Sequence, residues 1–365
     1  MLLLILCKEL RFVICKNGKK PFRAAQLRFS PKTYENTLHN TSWAYINKAM
    51  NLYHFPIKNP LLSHPIAVII EKEFSNIRTE ESMSTTDPAV TPILKWVGGK
   101  RQLLETIVPL IPEHTTYYEP FVGGGAVLFH TQPGRAVIND SNAELINIYE
   151  VIKAQPEELI ACLERHKEKN SQEYFYEVRS LDRDREKYET MLPVEQAARI
   201  IYLNKTCYNG LFRVNRAGEF NSPWGRYKNP NITNEATIRA MSRYLNKAKV
   251  TVLCGDYREA LKGIRKGSFV YLDPPYMPLS TSSSFTGYTA AGFGAEQQKE
   301  LKKQCDLLNR KGIHFLLSNS CCDFIEDLYK DYTVERVAAK RTINAKADKR
   351  GAIDEVLVRN YELDR

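Results

Sequence analysis

The chain has 365 residues, of which 43% are hydrophobic and 26% charged, and this composition excludes a disordered or collagen-like protein. Its formal net charge of +10 and pI near 9.0 favour a polyanionic partner such as nucleic acid, although many basic proteins bind nothing anionic. The opening apolar run is interrupted by Lys8 and Glu9 and is too short to cross a bilayer, so we expect a cytoplasmic protein that does not bind a membrane.

The eight cysteines and seven histidines show no spacing typical of a metal site or a disulfide framework. No Cys-x-x-Cys pair occurs, and the histidines are not arranged as His-x-x-x-His or His-Glu-x-x-His. We therefore expect reduced, free thiols and no bound metal, in preference to a disulfide scaffold or a zinc site.

The first 82 residues differ from the rest because they mix short apolar runs with basic residues and contain no recognisable motif. A polar stretch, TEESMSTTDPAVTP, follows, and we predict a linker over residues 83–92. Residues 1–82 are then an N-terminal extension of unknown role, or the product of a start assigned upstream of Met83. A small accessory domain is the alternative.

After the linker, helical and strand patterns alternate along the chain. Helical spacing of apolar residues occurs at 100–111, 126–130, 142–153, 156–189, 193–203 and 296–309. Strand patterns occur at 116–121, 136–139, 250–253, 269–272, 314–317, 333–337 and 356–359. This alternation predicts an α/β fold with an open sheet covered by helices on both faces. Residues 93–150 and 245–365 would form the sheet domain, with residues 151–244 inserted as a mostly helical subdomain.

The tetrapeptide Asp273-Pro274-Pro275-Tyr276 directly follows a predicted strand. A stiff turn is the simple interpretation, but ligands in open α/β sheets bind outside the carboxyl ends of strands. The exocyclic amine of adenine is a poor nucleophile because its lone pair is delocalised. The Asp273 carboxylate and the Pro274 carbonyl could accept its two N–H groups, Pro275 would hold that carbonyl rigid, and Tyr276 could stack on the base. We therefore predict a metal-free catalytic site for amine chemistry.

A glycine-rich segment, EPFVGGGA at residues 119–126, follows another predicted strand. Gly123 and Gly125, after Phe121, would let a ligand approach the backbone closely, although a tight loop would have the same residues. Asp140 ends the next strand, where it could hold the two hydroxyls of a ribose or cap a helix. The combination favours a cofactor site.

The segment Lys95-Trp96-Val97-Gly98-Gly99-Lys100 could be a cap over that cofactor, or a turn with an exposed basic pair. As a cap, Trp96 would pack on the cofactor and Lys100 would hold its carboxylate. Asp256, after the strand at 250–253, could contact a cofactor adenine or belong to a strand-end turn.

Residues 200–230 contain five basic residues and one acidic residue, and Arg226 is among the basic ones. Interleaved aromatic residues are Tyr202, Tyr208, Phe212, Phe220, Trp224 and Tyr227. Basic charge can hold phosphates and an arginine can fork onto guanine, whereas a solvated loop is the alternative. We also predict backbone contact by the basic run at 340–350, and a mobile loop at 280–294 that orders over an extruded base.

Four segments together resemble the Dam-type DNA adenine-N6 methyltransferases: LKWVGGK, EPFVGGGAV, YLNKTCYNGLFRVNRAGEFNSPWGRYKNP and YLDPPYMPLS. The resemblance covers about residues 93–360, and the motif order resembles the α group of the D12 class. It implies a Rossmann-like S-adenosylmethionine-dependent methyltransferase sheet with an inserted helical target-recognition subdomain.

The resemblance also implies roles for single residues. Trp96, Lys100, Asp140 and Asp273 would bind S-adenosylmethionine. Lys95 would read a guanine. Tyr208 and Asn209 would enter the base stack or meet phosphates, and the remaining bases would be read by Leu211, Arg213, Pro223 and Tyr227. These positions imply the target GATC, while Trp224 and the Thr206–Cys207 pair depart from the pattern and could alter affinity or sequence context.

The predicted function is transfer of a methyl group to adenine N6 in double-stranded DNA, by base flipping and direct in-line transfer. One alternative is a methyltransferase acting on RNA or on a protein amide nitrogen. The other is a DNA-binding module with a decayed site. We expect a monomer, and the sequence leaves open whether a cognate restriction endonuclease exists.

Overall fold

The computed structural model describes part of the chain, namely residues 87, 89–278, 293–340 and 352–363. All the described residues belong to one compact unit, Thr85–Arg365. Several predictions therefore fall outside the described residues: the extension at 1–82, the loop at 280–292 and the basic run at 341–350.

The described residues form one seven-stranded sheet. Its strands are β1 Thr116–Glu119, β2 Ala136–Asp140, β3 Val250–Cys254, β4 Ser268–Leu272, β5 His314–Ser320, β6 Thr333–Lys340 and β7 Ala352–Arg359. The strand order is β3-β2-β1-β4-β5-β7-β6, and β7 is antiparallel to both of its neighbours. The pairs among β1 to β5 are parallel. Each connection must therefore return from the carboxyl end of one strand to the amino end of the next, and most of these connections contain helices.

Eleven α-helices are present in the described residues. They are α1 Leu104–Ile107, α2 Ala126–Thr131, α3 Ala143–Ala154, α4 Pro156–Glu168, α5 Gln172–Ser180, α6 Arg185–Glu189, α7 Pro193–Thr206, α8 Glu235–Lys247, α9 Tyr257–Ala260, α10 Ala295–Arg310 and α11 Asp323–Leu328. Within this part of the chain, no helix combines the length and the apolar character that a membrane span requires.

The hydrophobic core lies on both faces of the sheet, because side chains alternate along the strands. In the fully buried β4, Phe269 and Tyr271 pack with the cluster that includes α2 and α3. Val270 and Leu272 point to the opposite face, where α10 and α11 cover them. The predicted fold class, a Rossmann-like methyltransferase sheet with helices on both faces and a helical insertion, is confirmed.

The helical insertion is attached to the sheet through α3, against which α7 and α8 pack. Its interior contains a fully buried arginine on α7, Arg199, whose Nη2 lies 2.8 Å from Asp182 Oδ2. The Asp182 carboxylate also accepts the Phe220 N–H at 2.7 Å. A buried charge needs such partners. Here the Asp182 carboxylate connects Arg199 on α7 with Phe220 in the polar segment after α7.

Some predicted boundaries differ from the structure. The helix expected at 100–111 is a short α-helix between two 3₁₀ turns, because Pro109 lacks an N–H and clashes with the preceding turn. The charged stretch 156–189 is helical as predicted, and it contains three α-helices. Helix α8 was not predicted, and it runs across the expected domain boundary between residues 244 and 245.

Candidate active site

The candidate active site is a cleft between β1 and β4, where the strand order reverses. These strands are adjacent and parallel, so their carboxyl ends leave the sheet at the same edge. The glycine loop after β1 and Asp273 after β4 therefore face each other, and the segment 96–100 completes the cleft. Its empty volume is about 270 Å³.

The glycine loop is shaped by left-handed backbone at Gly123 and Gly125, with φ of 48° and 68°. A Cβ on Gly125 would lie 2.8 Å from the Tyr149 hydroxyl oxygen, and one on Gly123 would lie 3.0 Å from Cδ1 of Trp96. Only glycine combines a positive φ with the absence of a Cβ, so the Trp96 indole packs directly on bare backbone.

Asp140 fastens this loop to the start of α3. Its carboxylate accepts the Gly123 N–H at 3.0 Å and the Asn142 N–H at 2.9 Å. Burial raises the pKa of Asp140, and the backbone N–H groups that it accepts oppose that rise. The N-cap of α3 is Asn142, which accepts the Leu145 N–H, so the helix-cap alternative for Asp140 is wrong.

Lys100, Asp273 and Tyr276 form a compact charged group at the cleft. Lys100 is 5% exposed, and its Nζ lies 2.9 Å from Asp273 Oδ1 and 4.8 Å from the centre of the Tyr276 ring. It also donates to the Gly98 carbonyl at 2.6 Å. Burial raises the pKa of Asp273 to about 6, while the Lys100 charge opposes that rise. The carboxylate is therefore largely ionised at neutral pH.

Three side chains that sequence reasoning missed brace the turn after Asp273. The Tyr276 hydroxyl donates to Glu355 Oε2 at 2.6 Å. The fully buried Gln298 donates to the Pro275 carbonyl at 3.0 Å and accepts from Asn319 Nδ2 at 3.0 Å. These partners come from α10, β5 and β7, and no local pattern connects them to the motif.

Glu119 is a further cleft residue to which the sequence analysis assigned no role. It is 2% exposed and accepts the Tyr117 hydroxyl at 2.9 Å. Burial raises the pKa of Glu119 to about 8, against the lowering effect of the Tyr117 hydrogen bond. Its position directly before the glycine loop, in a motif already singled out, was the available signal.

Three predicted cofactor residues are not among those that line the cleft: Asp140, described above, Phe121 and Asp256. Phe121 stacks on Tyr257 with ring centres 5.0 Å apart. Asp256 caps α9 and forms an ion pair with Arg258 at 2.6 Å, and that pairing lowers the pKa of Asp256. A contact of any of these three residues with a cofactor stays a prediction.

The predicted DNA-contacting residues lie on one folded segment and on Lys95 beside it. The segment is closed by hydrogen bonds from Tyr208 N–H to the Pro223 carbonyl at 2.8 Å and from Arg213 Nε to Asn221 Oδ1 at 2.6 Å. Leu211 is half-buried, and the other seven of the eight residues are exposed: Lys95, Tyr208, Asn209, Arg213, Pro223, Arg226 and Tyr227. They form a surface that an extended partner can reach.

The aromatic residues of this region divide into two groups. Tyr208 and Tyr227 are exposed, with 59% and 42% of their surface accessible. The other four belong to the core or pack against it: Tyr202, Phe212 and Phe220 are buried, and Trp224 is partly buried. The interleaving of aromatic and basic residues in the sequence therefore suggested more rings that could contact a nucleic acid than the structure exposes.

The strand order, with its glycine-lined cleft at the reversal point, is consistent with the fold of S-adenosylmethionine-dependent methyltransferases. The family model for D12 class N6 adenine-specific DNA methyltransferases matches residues 96–343, and the chain belongs to that family. It is an adenine-specific DNA methyltransferase similar to the Dam enzymes, as the sequence motifs predicted.

Named relatives agree with the family assignment. The chain is 47% identical over 271 residues to the type II methyltransferase M1.LlaDCHI of Lactococcus lactis subsp. cremoris, covering 74% of this chain and 95% of the relative. It is 42% identical over 291 residues to the type II methyltransferase M.MjaIII of Methanocaldococcus jannaschii, covering 74% and 99%. It is 34% identical over 266 residues to the DNA adenine methylase of Escherichia coli K12, covering 72% and 93%.

Proposed function

We propose that this enzyme uses S-adenosylmethionine to methylate adenine N6 at GATC in duplex DNA, after flipping the base out of the helix. The observation that carries the proposal is the position of Asp273. Its buried carboxylate lies at the switch point of the sheet, paired with Lys100 and beside the Tyr276 ring. The proposed DNA-contacting surface begins at Lys95, directly beside the cleft segment.

The residues of the cleft suit S-adenosylmethionine in charge and in shape. An amino acid group carries a carboxylate and an ammonium, and the cleft offers the Lys100 cation beside the carboxyl groups of Glu119 and Asp273. The Trp96 indole that packs on the Gly123 backbone also lines the cleft and offers an apolar face to the ligand. A cationic ligand beside Glu119 would favour its ionised form and lower its pKa. We propose that Asp140 holds the ribose hydroxyls.

The target amine would be held by the turn after β4. Asp273 accepts one N–H of the adenine amine, and the Pro274 carbonyl accepts the other, because Gln298 already occupies the Pro275 carbonyl. The Tyr276 ring stacks on the base. When bound, S-adenosylmethionine would supply an activated methyl group: the bond from its carbon to N6 would form as the bond to sulfur breaks, and the proton that N6 loses would pass to the Asp273 carboxylate or to water.

Recognition of DNA is assigned to the exposed surface around residues 208–227. The target amine is paired within a duplex, so the base must leave the helix before it reaches the cleft. Tyr208 would fill or flank the gap, and Arg213 and Lys95 would contact base edges. We propose action as a monomer, and the type II names of two relatives support a cognate restriction endonuclease as a proposed partner.

The test of the proposal is a map of N6-methyladenine in DNA from cells that lack adenine methylation and express the full chain. Single-molecule sequencing should show methylation of the adenine in GATC on both strands. Methylation at another sequence would overturn the target, whereas labelling of RNA or protein instead of DNA would support the alternative substrates. A failure to bind S-adenosylmethionine in calorimetry would support a decayed site.

Lys100→Met is expected to move the pH dependence of methyl transfer to higher pH. In the native enzyme the single-turnover rate should rise with pH as Asp273 ionises, with a midpoint near pH 6. Only the ionised carboxylate can accept hydrogen bonds from both the Lys100 ammonium and the adenine amine. Because the Lys100 charge lowers the pKa of Asp273, its loss raises that pKa and the midpoint. The rate is measured at saturating cofactor from pH 5 to 9.

Lys302→Met is the matched control for this variant. Lys302 lies 2.8 Å from Asp306, also on α10, and 5.0 Å from the centre of the Tyr332 ring directly before β6. These three residues repeat the lysine, aspartate and tyrosine group outside the cleft lining. The control should keep the native midpoint. An unchanged midpoint in Lys100→Met would show that Asp273 does not set the pH dependence.

A further inference from the structure

One buried side chain joins the cleft segment to the proposed DNA-contacting surface. Asn204 lies near the end of α7 and is 2% exposed. Its Oδ1 accepts the Lys95 N–H at 3.0 Å, and its Nδ2 donates to the Lys95 carbonyl and to the Gly210 carbonyl, both at 3.0 Å. The two amide donors are therefore both used, on two different segments.

The two joined segments have different proposed ligands. Lys95 begins the segment whose next residues, from Trp96 to Lys100, line the cleft for S-adenosylmethionine. Gly210 lies between Asn209 and Leu211, on the surface proposed to contact DNA. The same amide group thus contacts the residue directly before the cleft-lining segment and a residue between two proposed DNA contacts, while it lines neither site.

Further contacts hold the same two segments together. The rings of Trp96 and Phe212 stack with centres 4.8 Å apart and planes at 26°. Gly210 has φ of 62°, and a Cβ there would lie 3.0 Å from Cδ of Lys95, so the Lys95 chain passes directly over it. A shift of one segment therefore requires either a shift of the other or the loss of buried hydrogen bonds.

We propose that Asn204 is a positioning residue that couples cofactor binding to DNA binding, so that each ligand raises the affinity for the other. The inference depends on the proposed function of the two segments. A ligand that orders one segment reduces the cost of ordering the other, and linkage requires the effect to be equal in both directions. We expect the native enzyme to show a coupling factor on the order of tenfold.

The experiment measures this factor directly with the full chain. Calorimetry gives the dissociation constant of S-adenosylhomocysteine, an unreactive probe, with and without a saturating duplex that contains GATC. Fluorescence anisotropy gives the duplex dissociation constant with and without the probe, and the two ratios must agree. In Asn204→Ala the ratio should fall to within about twofold of unity. A retained tenfold ratio, or a ratio of one in the native enzyme, would overturn the proposal.

Asn360→Ala is the matched control. Asn360 Oδ1 accepts the Phe315 N–H at 2.9 Å, and its Nδ2 donates to the Ile313 carbonyl and to Asn309 Oδ1, both at 3.0 Å. It therefore makes the same kind of bonds near the start of β5, at the opposite sheet edge from the cleft. It should lose stability and keep the native coupling ratio, which separates coupling from a general structural role.

Phe212→Leu provides the second variant if Asn204→Ala does not fold. It removes the ring contact with Trp96 and keeps an apolar side chain, so the coupling ratio should fall at least about threefold. An unchanged ratio in a folded Phe212→Leu enzyme would overturn the proposal. Because the ratio is measured without turnover, a failure of DNA methylation in the native enzyme would be detected separately and would contradict the proposed function instead.

Discussion

Asp273→Ala is expected to lower the single-turnover rate of adenine methylation by about 10²–10³-fold or more, while the duplex dissociation constant changes by less than about threefold. The carboxylate lies at the cleft beside Lys100, and the proposed hydrogen bond to the amine acts mainly in the transition state. Duplex contacts lie on a separate surface, so affinity for DNA should survive. Transfer from a labelled cofactor gives the rate, and fluorescence anisotropy gives the affinity.

Asp306→Ala is the control for this change. Asp306 accepts from Lys302 at 2.8 Å and from the Tyr332 hydroxyl at 2.6 Å, so it loses comparable partners outside the cleft lining. Its rate should remain within about twofold of the native rate. A folded Asp273→Ala enzyme that methylates at the native rate would contradict the proposed mechanism.

Tyr276→Ala is expected to lower the single-turnover rate by about 30-fold, which corresponds to about 2 kcal/mol of base stacking. The side chain has two roles that can be separated. Its ring is the proposed platform for the flipped base, and its hydroxyl donates to Glu355 at 2.6 Å and braces the turn. The rate is measured with saturating duplex and cofactor.

Tyr276→Phe keeps the ring and removes only the bond to Glu355, so we expect a decrease of less than about fivefold. Comparison of the two variants assigns the larger share of the effect to the ring or to the hydroxyl. Equal losses in Tyr276→Phe and Tyr276→Ala would show that bracing by Glu355, and not stacking, is the contribution of this residue.

Much of the fold could be predicted from the sequence, because strand signals are local. All seven strands occur where apolar β-patterns predicted them, and the order of strands and helices identified an α/β sheet. Helix α8 was not predicted, although its buried apolar residues recur at helical spacing along one face. The break in the helix at 100–111 shows that apolar spacing alone does not override Pro109.

The candidate site was predictable to the extent that its residues are clustered in motifs. Asp273, Lys100 and Gly123 were each singled out from sequence, and the structure brings all three to one cleft. Asp256 was also singled out, but its carboxylate is paired with Arg258 and it does not line the cleft. In sequence, an aspartate at the end of a strand looks the same whether it lines the cleft, as Asp273 does, or lies outside it, as Asp256 does.

The sequence by itself determined the family, the chemistry-bearing turn and the glycine loop, because in each the reactive groups and the backbone shape come from adjacent residues. Only the tertiary structure decided which distant side chains support them. Glu355 is 79 residues from Tyr276, and Asn204 is 109 residues from Lys95. Such pairs depend on the order of strands in the sheet and on the packing of α7, and they bond through generic amides and carboxylates that carry no local signal.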